Sequence, residues 1–257
     1  MLRRFEVYAI GADSPAGAVR RFEEACRRSG RHVPEVLDSA VGWNRSGAPV
    51  HLVWEHAFAS PEAYRRYMVH PFHAAVLDRY ILQDSPERVV TDDTLGAGLV
   101  GYSCDDAVYR LRRGVRRLVL LRLRAEAPAG AVERLWRRLH DAPAASPSMV
   151  VSVAAANTMG PAWFDGMTPI TGPPRWTHLW EQGFASEGGF DDYRHGPSAL
   201  AAVERGGSED WGRWSDGVVT RVADVHYVIN GNTDDTAGDS DEIDNNHTTN
   251  DANNTGV

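Results

Sequence analysis

Two kinds of hydrophobic spacing alternate along the chain in a fixed order. Residues 5–10, 36–43, 51–58 and 99–103 are short runs rich in β-branched and aromatic side chains, the pattern of strands. Between the first two, Ser14-Pro15 opens a helix with Ala18, Phe22, Ala25 and Cys26 on one face. After the third, Ser60-Pro61-Glu62 supplies an N-cap, a proline at the first helical position and an acid near the positive helix end. That helix is expected to stop near Val69, because the residue before Pro71 is pushed out of the α region. A second helical run, FHAAVLDRYIL, follows. The order is β-α-β-β-α-β, a split βαβ or ferredoxin-like unit.

The same order returns. Residues 177–203 match 51–77 without a gap at an offset of 126, pairing Trp54 with Trp180, Glu55 with Glu181, Phe58 with Phe184, Tyr67 with Tyr193 and Pro71 with Pro197. Upstream, Pro15-Ala-Gly-Ala-Val19 recurs as Pro128-Ala-Gly-Ala-Val132 at an offset of 113, so the second copy carries an insertion of 13 residues. Strands are expected at 118–123, 149–155, 177–184 and 218–229, with a helix bearing Val132, Leu135, Trp136 and Leu139 and a degraded helical region at 187–204. The fold class is therefore α+β, two tandem ferredoxin-like repeats. Each four-stranded sheet has one face on its helices and one bare face, and the two bare faces can cover each other. The expected result is an intramolecular dimeric α/β barrel with repeats at 1–110 and 111–229.

Residues 230–257 hold seven acids and no basic residue, with few apolar side chains, and are expected to form an acidic disordered tail. Without them the formal charge of −8 nearly vanishes. All 27 basic residues are arginine, which excludes Schiff-base chemistry on a lysine and a phosphate-loop lysine. The run from Arg110 to Arg117 reads as a solvated linker, or as a docking point for a phosphorylated carrier or anionic substrate. One basic run on a near-neutral body argues against nucleic-acid binding. Cys26 and Cys104 form no disulfide framework. No apolar run is long enough for a membrane span and no leader pattern is present, so the expected location is cytoplasmic, with no membrane partner. The second-copy insertion, from Thr158 to Arg175, carries Trp163, Phe164 and Met167, as a lid over a cavity or a plain covering loop would.

Chemistry concentrates in Tyr67-x-x-His70-Pro71-x-His73, at the break between the two helical runs. A histidine near neutral pKa can take a proton from a carbon acid flanked by carbonyls, and a nearby phenol can donate to the oxygen where charge develops. Neither step needs a cofactor or metal. Trp54 and His56 alternate with Val53 and Glu55, sharing a sheet face with Leu52 and Phe58, and Glu6 and Tyr8 share a face of the first strand. Each of these residues also has a purely structural reading: His73 as a core histidine, His70 as a cap on the broken helix, the others as packing or surface. In the second copy His70 falls on Gly196 and His73 on Ala199, and His195 sits one position off, so that copy reads as scaffold.

The duplicated unit with Y-x-x-H-P-x-H at its second helix resembles the stress-responsive dimeric α/β barrel (Dabb) family, and residues 67–73 and 177–186 resemble its olivetolic acid cyclase branch. The resemblance implies His73 as base and Tyr67 as orienting hydroxyl. It also implies a substrate pocket on the helix-facing side of the sheet, lined by Trp54, His56, Tyr8, Phe58, Glu6 and His70. The function it implies is cofactor-independent cyclisation of a polyketide or related carbonyl-rich small molecule. A cofactor-free monooxygenase and a non-catalytic small-molecule-binding protein are the alternatives. Contact with a carrier protein or a second copy stays open.

Overall fold

The computed structural model describes residues 1–48, 50–82, 84–91, 99–104, 111, 113–128, 130–159 and 176–229. The expected tail and nearly all of the insertion lie outside these residues. The first repeat contains β1 (Leu2–Tyr8), α1 (Ala16–His32), β2 (Val36–Trp43), β3 (Leu52–Phe58), α2 (Pro61–Met68), a π-helical turn (His73–Leu77), α3 (Asp78–Ile81) and β4 (Leu99–Ser103). The second contains β5 (Gly114–Leu123), α4 (Ala131–His140), β6 (Met149–Ala156), β7 (His178–Phe184), α5 (Glu187–His195), α6 (Ala199–Gly206), α7 (Ser208–Trp214) and β8 (Val219–Ile229). The two sheets are antiparallel with matching orders, β2-β3-β1-β4 and β6-β7-β5-β8. This is the tandem ferredoxin-like α+β fold.

Local chemistry explains the helix starts. Ser60 Oγ accepts from Ala63 N at 3.2 Å and Ser186 Oγ from Gly189 N at 3.1 Å, the same cap in both repeats. Helix α2 ends at Met68, with Val69 as its C-cap, as Pro71 requires. Helix α7 was not expected from the sequence. It is seven residues long with no clear apolar period, yet it buries Trp211 edge-on to Trp180 at 6.4 Å.

The alternation along each strand separates two layers. Leu52, Trp54 and Phe58 face the helices with Phe22, Cys26, Tyr64, Tyr67 and Leu77. Phe5, Val7, Val53, Val100 and Tyr102 face the other sheet and pack on Leu118, Leu120, Leu179, Val225 and Tyr227. The repeats therefore cover each other's bare faces within one chain. At the seams the side-chain amide oxygen of Asn44 accepts from His226 N at 3.3 Å, and that of Asn157 accepts from Gly101 N at 3.1 Å. These two asparagines are 113 positions apart, so the duplication includes the joints.

The sheet interface is not wholly apolar. Glu181 accepts from Arg3 Nη2 at 2.8 Å, Arg116 Nη1 at 2.5 Å and Tyr102 Oη at 2.7 Å. Glu55 lies 3.2 Å from Arg116 Nε and 3.6 Å from Arg3 Nη2, and accepts from Tyr227 Oη at 2.7 Å. Burial alone would raise the Glu181 carboxyl, but Arg3 and Arg116 outweigh it and hold the group below its usual range. The reading of the 110–117 run as a solvated linker is thereby corrected from Gly114 onward. Gly114 already begins β5, and Arg116 and Arg117 are almost fully buried because carboxylates from strands and a helix meet them.

Candidate functional site

The break after α2 sets the site. The side-chain Nδ1 of His70 accepts from Phe72 N at 3.1 Å, so His70 closes the turn at Pro71 and is half-buried there. The chain then resumes as a π turn in which the N–H of Asp78 bonds the carbonyl of His73. A π turn widens the helix by one residue and recurs at functional sites. Here it seats His73 against the sheet side, buried, with its ring edge-on to Tyr67 at 4.6 Å.

Around Tyr67 the structure gathers Trp54, His56 and Phe58 from β3, with ring separations of 6.5, 5.6 and 5.2 Å. Trp54 is fixed by donating from Nε1 to Ser39 Oγ at 2.8 Å. From β1 come Glu6 and Tyr8, whose hydroxyl donates to Glu6. Register places Arg4 opposite His56 and Glu6 opposite Trp54, so Arg4 shares this face. Its guanidinium pairs with Glu6 at 2.8 Å and lies over the Tyr64 and Tyr67 rings at 4.7 and 5.8 Å. Sequence reasoning missed Arg4. The signal was present, since Arg3-Arg4 recurs as Arg116-Arg117 at the offset of 113. It also missed Asp78, whose Oδ2 is 3.6 Å from His73 Nδ1, just beyond hydrogen-bond reach. A third omission is Met159. It enters the first repeat's helix-side core from the second repeat and sits where a Cβ on Gly101 would meet its Cγ at 2.8 Å.

The electrostatics favour neutral rings. Burial first, then Arg4, lowers His73 to about 3. Burial, then Arg4 and His73, pushes His56 well below its ordinary value. Burial holds the Tyr67 hydroxyl protonated, well above its ordinary pKa. Burial, then Glu6, raises Asp78 to about 6. Among the described residues, Arg4 Nε, both ring nitrogens of His56, Tyr67 Oη and His73 Nδ1 are buried without a hydrogen-bond partner. Buried polar atoms are nearly always paired, so five together need an explanation.

The second repeat offers a direct contrast. Arg4, His56 and Tyr67 align with Arg117, Gln182 and Tyr193 at the two offsets. Arg117 bonds Glu204 at 2.6 Å and Asp224 at 2.7 Å, while Gln182 Oε1 accepts from Arg117 at 3.1 Å. Tyr193 Oη donates to Glu204 at 2.9 Å. This cluster is closed on itself. An open groove of about 580 Å³ lies outside it, lined by Ser146, Ser148, Asp192, Tyr193 and Ser198. His195 is exposed at the end of α5, away from the position His73 holds. Among the described residues no group of three or more His, Cys, Asp or Glu side chains is placed to hold a metal ion. Among them, too, no helix is long and apolar enough to cross a membrane.

No family model matches the chain, and no curated protein matches it. Solved structures do. An anthrone oxidase-like protein shares 14% identity at a TM-score of 0.53, covering 89% of this chain and 91% of its own. A candidate monooxygenase of Fusobacterium nucleatum shares 6% identity at 0.52, covering 89% and 92%. A Dabb-family protein of Mesorhizobium loti with a ferredoxin-like fold covers 46% of this chain and 99% of its own, at 14% identity and a TM-score of 0.33. At these identities the first two likenesses establish a shared fold and nothing finer.

Proposed function

We propose that the first repeat holds a small-molecule site and acts as a cofactor-independent, cyclase-like catalyst on a polyketide or related carbonyl-rich compound. One observation carries this reading. Five buried polar atoms converge around Tyr67 without partners, while the aligned cluster in the second repeat is satisfied. A bound molecule with several oxygens would supply what the protein leaves out.

His73 is neutral at working pH, so its lone pair is free to take a proton from a carbon between two carbonyls. The resulting electron pair attacks a second carbonyl carbon, and Tyr67 donates a hydrogen bond to the oxygen that gains charge. A pKa near 3 makes His73 a weaker base than free imidazole. A hydrogen bond from His73 Nδ1 to Asp78 Oδ2, 3.6 Å away, would strengthen it. The resemblance to the olivetolic acid cyclase branch at Tyr67 and His73 supports the same roles. The working copy is the first repeat, with residues 111–229 as scaffold.

The test is to incubate the protein with a linear poly-β-keto thioester and analyse the products by mass. Loss of water or an isomeric ring product supports cyclisation, and His73→Ala should then lower turnover by about two to four orders of magnitude. A gain of oxygen would instead support a cofactor-free monooxygenase; the Fusobacterium protein that shares the fold is named as a candidate monooxygenase. Binding without turnover would leave a small-molecule-binding protein.

A further inference from the structure

We infer that the first-repeat site takes a ligand bearing a carboxylate, seated between Arg4 and Tyr67; this rests on reading that repeat as the ligand site. The second repeat shows what such a cradle holds. Glu204 is buried and its carboxylate is met from three sides, by Arg117 Nη1 at 2.6 Å, Tyr193 Oη at 2.9 Å and Gln182 Nε2 at 3.3 Å. Asp224 takes the other edge of Arg117, with bonds of 2.8 and 2.7 Å.

The first repeat places the aligned arginine and tyrosine, Arg4 and Tyr67, with His56 in the place of Gln182, but a different atom of the arginine, Nε, is left open. Glu6 takes only Nη2 of Arg4, at 2.8 Å, where Asp224 takes both Nε and Nη2 of Arg117, and Arg4 Nη1 faces Met68 Sδ at 3.9 Å. Arg4 Nε, Tyr67 Oη and a nitrogen of His56 remain as buried donors with nothing to accept from them. The position aligned with Glu204 is Asp78, which is directed to His73. By strand register Leu99 stands opposite Glu6 as Asp224 stands opposite Val119, the residue aligned with Glu6, so no acid replaces that one from the edge strand. A guanidinium N–H with two further donors beside it suits an anionic oxygen pair far better than a neutral carbonyl. The walls are Trp54, Phe58 and Tyr64, so the rest of the ligand is apolar or aromatic.

The experiment titrates the full chain at pH 7.5 with 1-naphthoate and with its neutral counterpart 1-naphthalenemethanol, by calorimetry. The acid should bind about ten- to a hundredfold more tightly, the weight of a charge-assisted hydrogen bond to a buried donor. Arg4→Gln and Tyr67→Phe should each remove most of that preference, and Tyr193→Phe should keep it. Tyr67→Phe preserves the ring packing, so it remains informative if Arg4→Gln fails to fold. If both probes bind equally, or Tyr67→Phe keeps the full preference, the carboxylate is wrong while the site stands. If neither probe binds, or only Tyr193→Phe abolishes binding, both the carboxylate and the first-repeat site are wrong.

Discussion

Removing the carboxylate of Glu181 tests whether the two sheets are held by a charge lattice and not by apolar contact alone. Glu181 has no exposed surface and accepts from Arg3, Arg116 and Tyr102. In Glu181→Ala both guanidiniums stay buried with Glu55 as their one remaining carboxylate, at 3.2 and 3.6 Å, and Tyr102 loses its acceptor. An uncompensated buried charge costs about 3–5 kcal/mol. In a chain of this length that is a fall in Tm on the order of 10 °C. The assay is urea unfolding followed by tryptophan fluorescence. The control is Glu62→Ala, which breaks an exposed pair with Arg65 and should change stability by less than about 1 kcal/mol. Replacing all four charged residues by Met and Leu should recover much of the loss, because a well-packed apolar substitute often matches a buried ion pair. A loss below about 1 kcal/mol for Glu181→Ala would falsify the argument.

Stability should fall as pH drops below about 6.5. His73 is held near 3 when folded, so the unfolded chain binds its proton first, and His73 alone should cost on the order of 2 kcal/mol between pH 6.5 and 5. His56 is also held well below its ordinary value and acts in the same direction, while Asp78, raised to about 6, offsets part of the loss. A Tm that stays flat from pH 7.5 to 5, or one equally steep in His73→Gln, contradicts this. At the seam between the repeats, Gly42→Ala would place a Cβ 2.3 Å from Tyr227 Cδ2, and Tyr227 is held by its bond to Glu55. It should cost about 1–3 kcal/mol in urea unfolding. Gly47→Ala, with no atom within 4 Å of the added carbon, should cost almost nothing, and equal behaviour of the two would refute the steric argument.

Periodicity and repetition made the fold legible. Strand β2 has the limits that the hydrophobic pattern predicts, and α2 ends where Pro71 demands. The duplication at offsets of 113 and 126 implied two sheets with bare faces, and the packing of Phe5 and Val53 against Leu118 and Leu179 follows from it. Charge was harder to read. Arg3, Arg4, Arg116 and Arg117 look like solvated flanks in one dimension, but each is buried once partners distant in sequence converge on it. Arg3 meets Glu181, 178 positions away. Nothing local announces such a pairing, because a carboxylate and a guanidinium carry no periodic signature. The small helix α7 escaped for a related reason, since its seven residues are too few to show a face.

The duplication also explains how one repeat can keep its polar atoms open. A lone ferredoxin-like unit would expose the apolar face that Phe5, Val7 and Val53 present, so neither copy can be lost even if one carries no chemistry. The two cross-paired carboxylates, Glu55 and Glu181, tie each sheet to arginines from both copies. With that interface fixed, the second repeat closes its own helix-side cluster through Glu204 and Asp224. The first repeat leaves Arg4, His56, Tyr67 and His73 short of partners, at a cost of about 1–3 kcal/mol for each unsatisfied group. A marginally stable single unit could not hold several such groups. A pseudo-dimer can, because the satisfied copy and the shared interface hold the strained one in place. The asymmetry between the copies is therefore a consequence of what the first repeat leaves open.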